Sequence, residues 1–165
     1  MTAGKVVKTE KRGIIMENNL IVNDVAQVNL VEQLQQPSNS FYCSIKDDGT
    51  RKSKVAIYNA VNNAEESLND HIGEVLEIVN VVAFPVDLLD EETGEMIQAL
   101  QTVLVAKDGK TYKATSQGIT NSIVRIFSIV GKPDNGAWEK EPIKIKVKQV
   151  KTRNGNNKVN IIELV

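Results

Sequence analysis

A chain of 165 residues has room for one folded domain and an extra segment at one end, and its 41% hydrophobic and 25% charged residues are ordinary globular usage. The 20 Lys and Arg stand against 21 Asp and Glu, which excludes a strong overall attraction to polyanions and leaves room only for local positive surface. A single cysteine, Cys43, excludes an internal disulfide framework and fits a reducing cytoplasm, while no stretch approaches the ~18 apolar residues of a membrane span or carries the apolar run of a signal peptide.

From Met1 to Gly13 the chain is polar, charged and without periodicity, the composition of a flexible start. Ile14 to Met16 and Leu20 to Val22 are each long enough for a short strand. Asp24 and Gln27 form a weak capping box ahead of Val25, Val28, Val31 and Leu34, which predicts a short helix ending before Pro37. Asp47-Asp48-Gly49 reads as a turn.

Beyond it the apolar period is two. Lys54 to Ala60 alternates, with Val55 and Ile57 on one side and Lys54, Ala56 and Tyr58 on the other, as in a half-buried strand. Glu74 to Asp87 is apolar on both faces in its middle, as expected of a strand that bends around a barrel, with Pro85 near its exposed end. The polar turn Asp90 to Gly94 leads to a strand over Met96 to Ala106, and the hairpin signal Asp108-Gly109 leads to Lys110 to Ala114. Ile119, Ile123, Ile126, Phe127 and Val130 then fall on one face of a helix that Thr115 or Ser116 can cap and that Gly131 with Pro133 stops. After a loop over Pro133 to Glu141 holding Trp138, Ile143 to Lys151 and Lys158 to Leu164 form two strands joined by a turn containing Asn154-Gly155.

Three strands, one helix and two strands is the order of the five-stranded Greek-key oligonucleotide-binding (OB) barrel, in which the helix between strands three and four plugs one end. The predicted organisation is an N-terminal extension over 1–53 and a mainly β, OB-type domain over 54–165.

Catalysis finds no support in the pattern. His71 is the only histidine and reads as a surface residue, with no Cys or His near in sequence to share a metal. Nucleophile elbows, phosphate-binding loops and dinucleotide fingerprints are absent, so no cofactor, metal or catalytic residue is predicted. Binding a single strand of nucleic acid instead requires cations spaced along a backbone and flat rings for bases. Lys144, Lys146 and Lys148 alternate with Ile143, Ile145 and Val147, so three ammonium groups project in a row about 6.5 Å apart. Lys151 and Arg153 continue that charge into the last hairpin, where Lys158 rejoins it. Such a row also suits an edge strand defended by lysine. Tyr58 beside Lys54, Tyr112 between Lys110 and Lys113, and Phe84 at the end of the long strand are the candidate rings, with barrel-edge cover as the other reading of each.

The stretch Asp108-Gly109-Lys110-Thr111-Tyr112-Lys113-Ala114-Thr115-Ser116, with the helix to Val130, resembles the single-stranded DNA-binding proteins of small bacterial viruses that replicate linear genomes by protein priming. Ile57-Tyr58-Asn59-Ala60 resembles that family's first strand, Gly73 to Phe84 its second, and Lys144-Ile145-Lys146-Val147 its fourth. The resemblance covers about Lys54 to Leu164. It implies that Phe84 and Tyr112 occupy positions where the family has tyrosines suited to DNA contact, Phe84 lacking the hydroxyl. It also implies a non-enzymatic protein that coats single-stranded DNA during replication in the host cytoplasm, in contact with the replication machinery. The first 50 or so residues and the longer loops after Asp87 and Gly131 have no counterpart, and residues 1–53 are the candidate segment for self-association. A β-barrel interaction or virion structural module, and an RNA-binding barrel, remain the alternatives.

Overall fold

A computed structural model describes residues 41–165, and the short strands and helix expected before Pro37 lie outside them. The body is one curled, half-barrel sheet with helices at its open side and on its back. Its strands are β1 (Tyr42–Cys43), β2 (Glu66–Ser67), β3 (Val75–Leu89), β4 (Met96–Ala106), β5 (Thr111–Ala114), β6 (Ile143–Lys151) and β7 (Lys158–Leu164). Helices α1 (Arg51–Asn62), α2 (Gln117–Ile129) and α3 (Ala137–Lys140) complete it, α3 replacing part of the loop expected before β6.

The sheet runs β2-β5-β4-β3-β6-β7, antiparallel except for the parallel β2–β5 pair, with β1 added to the free stretch of β3. One long strand that pairs with β4 on one edge and β6 on the other is the joint of an OB-type fold. The element order is therefore as expected, but the first barrel strand is β3. Lys54 to Ala60, read as that strand, is helix.

Two patterns produced that misreading. Ala60 and Val61 pack toward the sheet, with Ala64 joining them just past the helix end, whereas Val55 and Tyr58 are exposed. Thr50 caps the helix, its hydroxyl accepting from the Ser53 amide at 3.3 Å, and Asp48 accepts from the Thr50 amide at 2.9 Å. The Thr50 hydroxyl, and after it that amide bond, hold the Asp48 carboxyl down at about 2. The boundary expected at 53/54 thus falls inside α1, and the packed body already includes Tyr42 and Ser44.

The two-faced apolar middle of β3 follows from a bulge between Ile78 and Asn80. Before it Leu76 and Ile78 face the barrel interior; after it Val81 and Ala83 do, and Val82 turns outward under α1 with Val103 and Ala60. The buried Asn80 side chain accepts from the Ser44 hydroxyl at 2.7 Å and donates to Glu139 of α3 at 2.9 Å, so the bulge carries no unmet polar group.

The interior is filled by β3, β4, β5 and β6 against α2, whose Ser116 cap accepts from the Ile119 amide. Tyr42, Phe127 and Trp138 close one end in edge-to-face contacts, with centroids 5.4 and 5.8 Å apart. Trp138 is thus core. Val130, expected on the same face as Phe127, is half exposed just past the helix end. Between β5 and β7 the gap is spanned by the 3-10 turn Leu68–His71: Asn160 donates to Asn69 at 2.6 Å and Gly73 donates to Val147.

Candidate nucleic-acid interface

The β6–β7 hairpin is the most cation-rich element of the described residues. From Pro142 to Ile162 it holds Lys144, Lys146, Lys148, Lys151, Arg153 and Lys158 and no carboxylate. Alternation works as the sequence implied, with Ile145 and Val147 buried inward and Lys144, Lys146 and Lys148 outward. Two of these lysines are shared with acids across the strand pairs: Lys144 lies 3.9 Å from Glu77 and Lys148 3.2 Å from Glu163. Both are exposed pairs that salt screens and a phosphate can displace.

Toward the tip the pairing becomes unfavourable. Lys151 stands directly opposite Lys158, and Arg153 lies in the six-residue turn between them, which Gly155 closes in a left-handed conformation. Like charges directly opposite on a ladder destabilise it. No described acid forms an ion pair with any of the three.

The band of charge continues across β3. Lys107, in the β4–β5 turn, donates its amide to the Glu77 carbonyl and places its ammonium 3.9 Å from the Glu77 carboxylate, on the side away from Lys144. The two lysines flank a cleft of about 400 Å³ floored by Val75, Leu76 and Tyr112. Lys110 sits in the same turn, 3.6 Å from Glu66, whose charge raises the lysine's pKa.

A second surface lies higher on the outer face of the sheet. On α1, Arg51, Lys54, Val55 and Tyr58 are exposed at spacings of three, one and three, and line one groove of about 500 Å³. The Tyr58 ring is 62% exposed. Phe84 is half-buried in the layer that joins α1 to β3 and β4. Lys113 is exposed on β5 opposite Val103, beside that layer.

Tyr112 does not belong with these rings. Its side chain turns into the barrel, where it is 3% exposed and meets the His71 ring edge-on at 4.9 Å. The inward parity is set by its pairing with Leu104, and burial pushes its phenol up. A ring so placed cannot stack on a base. Nor is His71 a bland surface residue: its two ring nitrogens meet Glu66 and Glu74, the Glu74 hydrogen bond leading the rise in its pKa.

The candidate rings and the β6 lysines therefore lie on two surfaces. One is the cation band Lys110, Lys107, Lys144, Lys146, Lys148, Lys158 and Arg153; the other is the α1 platform with Lys113. Glu77 and Val82 mark them on β3, roughly 15 Å apart at strand rise. The sequence reading missed Arg51, placed in the extension, and Lys107, which carries a signal only once the turn is docked on β3. Among the described residues no group of His, Cys, Asp and Glu is disposed to hold a metal ion, and no helix is long and apolar enough to cross a membrane.

Residues 35–162 match the family model described as phage single-stranded DNA-binding protein. The chain is 28% identical over 110 residues to the single-stranded DNA-binding protein of Bacillus phage GA-1, a match covering 65% of this chain. It spans about 64% of the length of that curated relative. No solved structure matches the chain.

Proposed function

Because this chain belongs to the phage single-stranded DNA-binding protein family, we propose that it binds and coats single-stranded DNA with little sequence preference, as a non-enzymatic protein of phage replication acting in the host cytoplasm. The observation that carries the reading is the cation-rich stretch Pro142 to Ile162 of the β6–β7 hairpin, which holds six cations and no carboxylate. A cross-strand Lys151–Lys158 pair with Arg153 in its turn costs the ladder stability and is relieved when an anion binds. In OB folds the loop between strands four and five is one of the ligand-contacting loops, and here that loop is the Arg153 turn. Lys144, Lys146, Lys148, Arg153 and Lys158, with Lys110 and Lys107, supply phosphate contacts. Tyr58 supplies a stacking ring flanked by Arg51 and Lys54, with Phe84 in the layer that joins α1 to the sheet and Lys113 beside that layer.

Partners in this reading are single-stranded DNA and the replication machinery, and residues 1–53 carry a candidate for self-association. Fluorescence titration of a labelled oligonucleotide at several salt concentrations, competed by RNA and by duplex, tests it. Affinity should fall with a slope of about −0.7 in log-log form per phosphate neutralised. Equal competition by duplex, or no binding at low salt, removes the reading and leaves a β-barrel interaction module. Stronger competition by RNA would redirect it to an RNA ligand.

A further inference from the structure

Two surfaces remain outside the nucleic-acid interface, and each has what the other lacks. The first is the end of the β3–β4 hairpin, which runs on past the body. Leu89 is 62% and Met96 65% exposed there, with Ile97 beside them, although strands usually hide such side chains. Around them stand Asp87, Asp90, Glu91, Glu92 and Glu95, and from Ile72 to Ala106 the chain has no cation. The arm is greasy at its tip and acidic throughout.

The second surface is a groove of about 490 Å³ between α2 and β7. Ile129, which is 84% exposed, lines it with Val130, Val159, Ile161 and Leu164. Its one charged lining residue is Arg125. The groove is held open from within. Gly118 of α2 packs so closely on the Asn160 carbonyl of β7 that an added Cβ would lie 2.3 Å from that oxygen, and Ser122 accepts the Ile162 amide at 3.0 Å. The helix is thereby fixed to the strand, and the apolar side chains above the junction are left uncovered.

We propose that the β3–β4 arm of one copy of this chain docks in the α2–β7 groove of the next copy, head to tail. Apolar side chains meet apolar side chains, and the arm's carboxylates face Arg125. The hairpin tips of β3–β4 and β6–β7 point to opposite ends of the sheet, because β6 pairs antiparallel with the start of β3 and continues beyond it. Two different surfaces used in this way make a heterologous contact, which propagates along a line of copies instead of stopping at a symmetric dimer. A two-stranded tip buries less than the ~1,200 Å² of a standard interface, so free copies associate weakly. Copies held side by side on one strand experience an effective concentration on the order of mM, at which the same contact is populated. That last consequence rests on the proposed DNA binding; the contact itself does not.

Sedimentation velocity on the full chain, from ~10 µM to ~1 mM, tests it. The wild type should gain mass with concentration. An arm variant, Leu89→Lys with Met96→Lys, and a groove variant, Arg125→Glu with Ile129→Asp, should each remain monomeric; all four side chains are exposed, so the fold is spared. An equimolar mixture of the two offers one intact arm and one intact groove, and should give dimers and nothing larger. A wild type that stays monomeric, a variant that associates like the wild type, or a mixture that stays monomeric overturns the proposal. Association that survives in both variants assigns self-association to another segment. Oligonucleotide binding is read separately: failure of the wild type to bind removes the DNA reading while leaving the sedimentation result intact.

Discussion

Lys158→Glu should move stability and DNA affinity in opposite directions. In the free protein Lys158 faces Lys151 across the ladder, and the change replaces a like-charge pair by an opposite one. Cross-strand pairs of exposed charges are worth roughly 0.2–1 kcal/mol, and for a chain of this size that is a rise in Tm of about 1–3 °C. Binding should weaken. If all six cations of the hairpin neutralise a phosphate, the log-log salt slope is about −4.2, and affinity falls roughly 300-fold between 50 and 200 mM salt. Removing Lys158 and adding a carboxylate that engages Lys151 takes away one to two phosphates, so the slope should flatten by about 0.7–1.4. Thermal melts of the free chain and fluorescence titrations at four salt concentrations read the two effects side by side. A lowered Tm with an unchanged salt slope would refute the argument, because it would make the Lys151–Lys158 pair part of the scaffold and not of the interface.

Tyr58→Ala should cost roughly 1–3 kcal/mol of DNA binding through the lost stack and leave Tm unchanged, since the ring is exposed; fluorescence titration and a melt check both. Tyr112→Ala should do the reverse, costing roughly 3–5 kcal/mol of stability in denaturant unfolding while oligonucleotide affinity of the folded fraction holds. His71, held by Glu74 and Glu66, has a folded pKa above its unfolded value of about 6.5, so its contribution is complete below pH 6.5 and is lost as pH rises through the folded value. His71→Gln should therefore flatten the loss of stability in urea melts on going from pH 6 to pH 8. Gly118→Ala should lower Tm by several degrees, because the new methyl meets backbone oxygen and not a movable side chain.

The strands after residue 74 were legible because each is a run rich in Val, Ile and Leu bounded by a turn of fixed chemistry. Met96–Ala106, Ile143–Lys151 and Lys158–Leu164 have the expected bounds, and Ser116 caps α2 as expected. Residues 54–60 failed because Val55, Ile57 and Tyr58 satisfy period two locally. The inward pair Ala60 and Val61 becomes decisive only when Val82 and Val103 are known to need a cover. Tyr112 failed for a related reason. Flanking lysines mark a strand as half exposed but do not say which parity faces out, and that was settled by the cross-strand partner Leu104. The separation of the α1 platform from the lysine band was beyond reach, because it depends on which stretch of β3 each neighbour occupies.

Net charge was the weakest guide of all, and the fold explains why. A formal charge of −1 is the sum of an acidic arm and a basic hairpin that leave the sheet in opposite directions. Their tips are separated by most of β3 and most of β6, and at strand rise that is several times the ~8 Å over which salt screens a charge. A phosphate at Arg153 therefore experiences the hairpin and little of the arm, so a nearly neutral chain presents a local cation density suited to a polyanion. The same separation sets a direction on the molecule. A strand of DNA held along the lysine band would leave each acidic arm projecting away from its own basic hairpin, where it is repelled by phosphate and attracted by cations it does not share with the strand. Arg125, on the helix and outside the band, is such a cation.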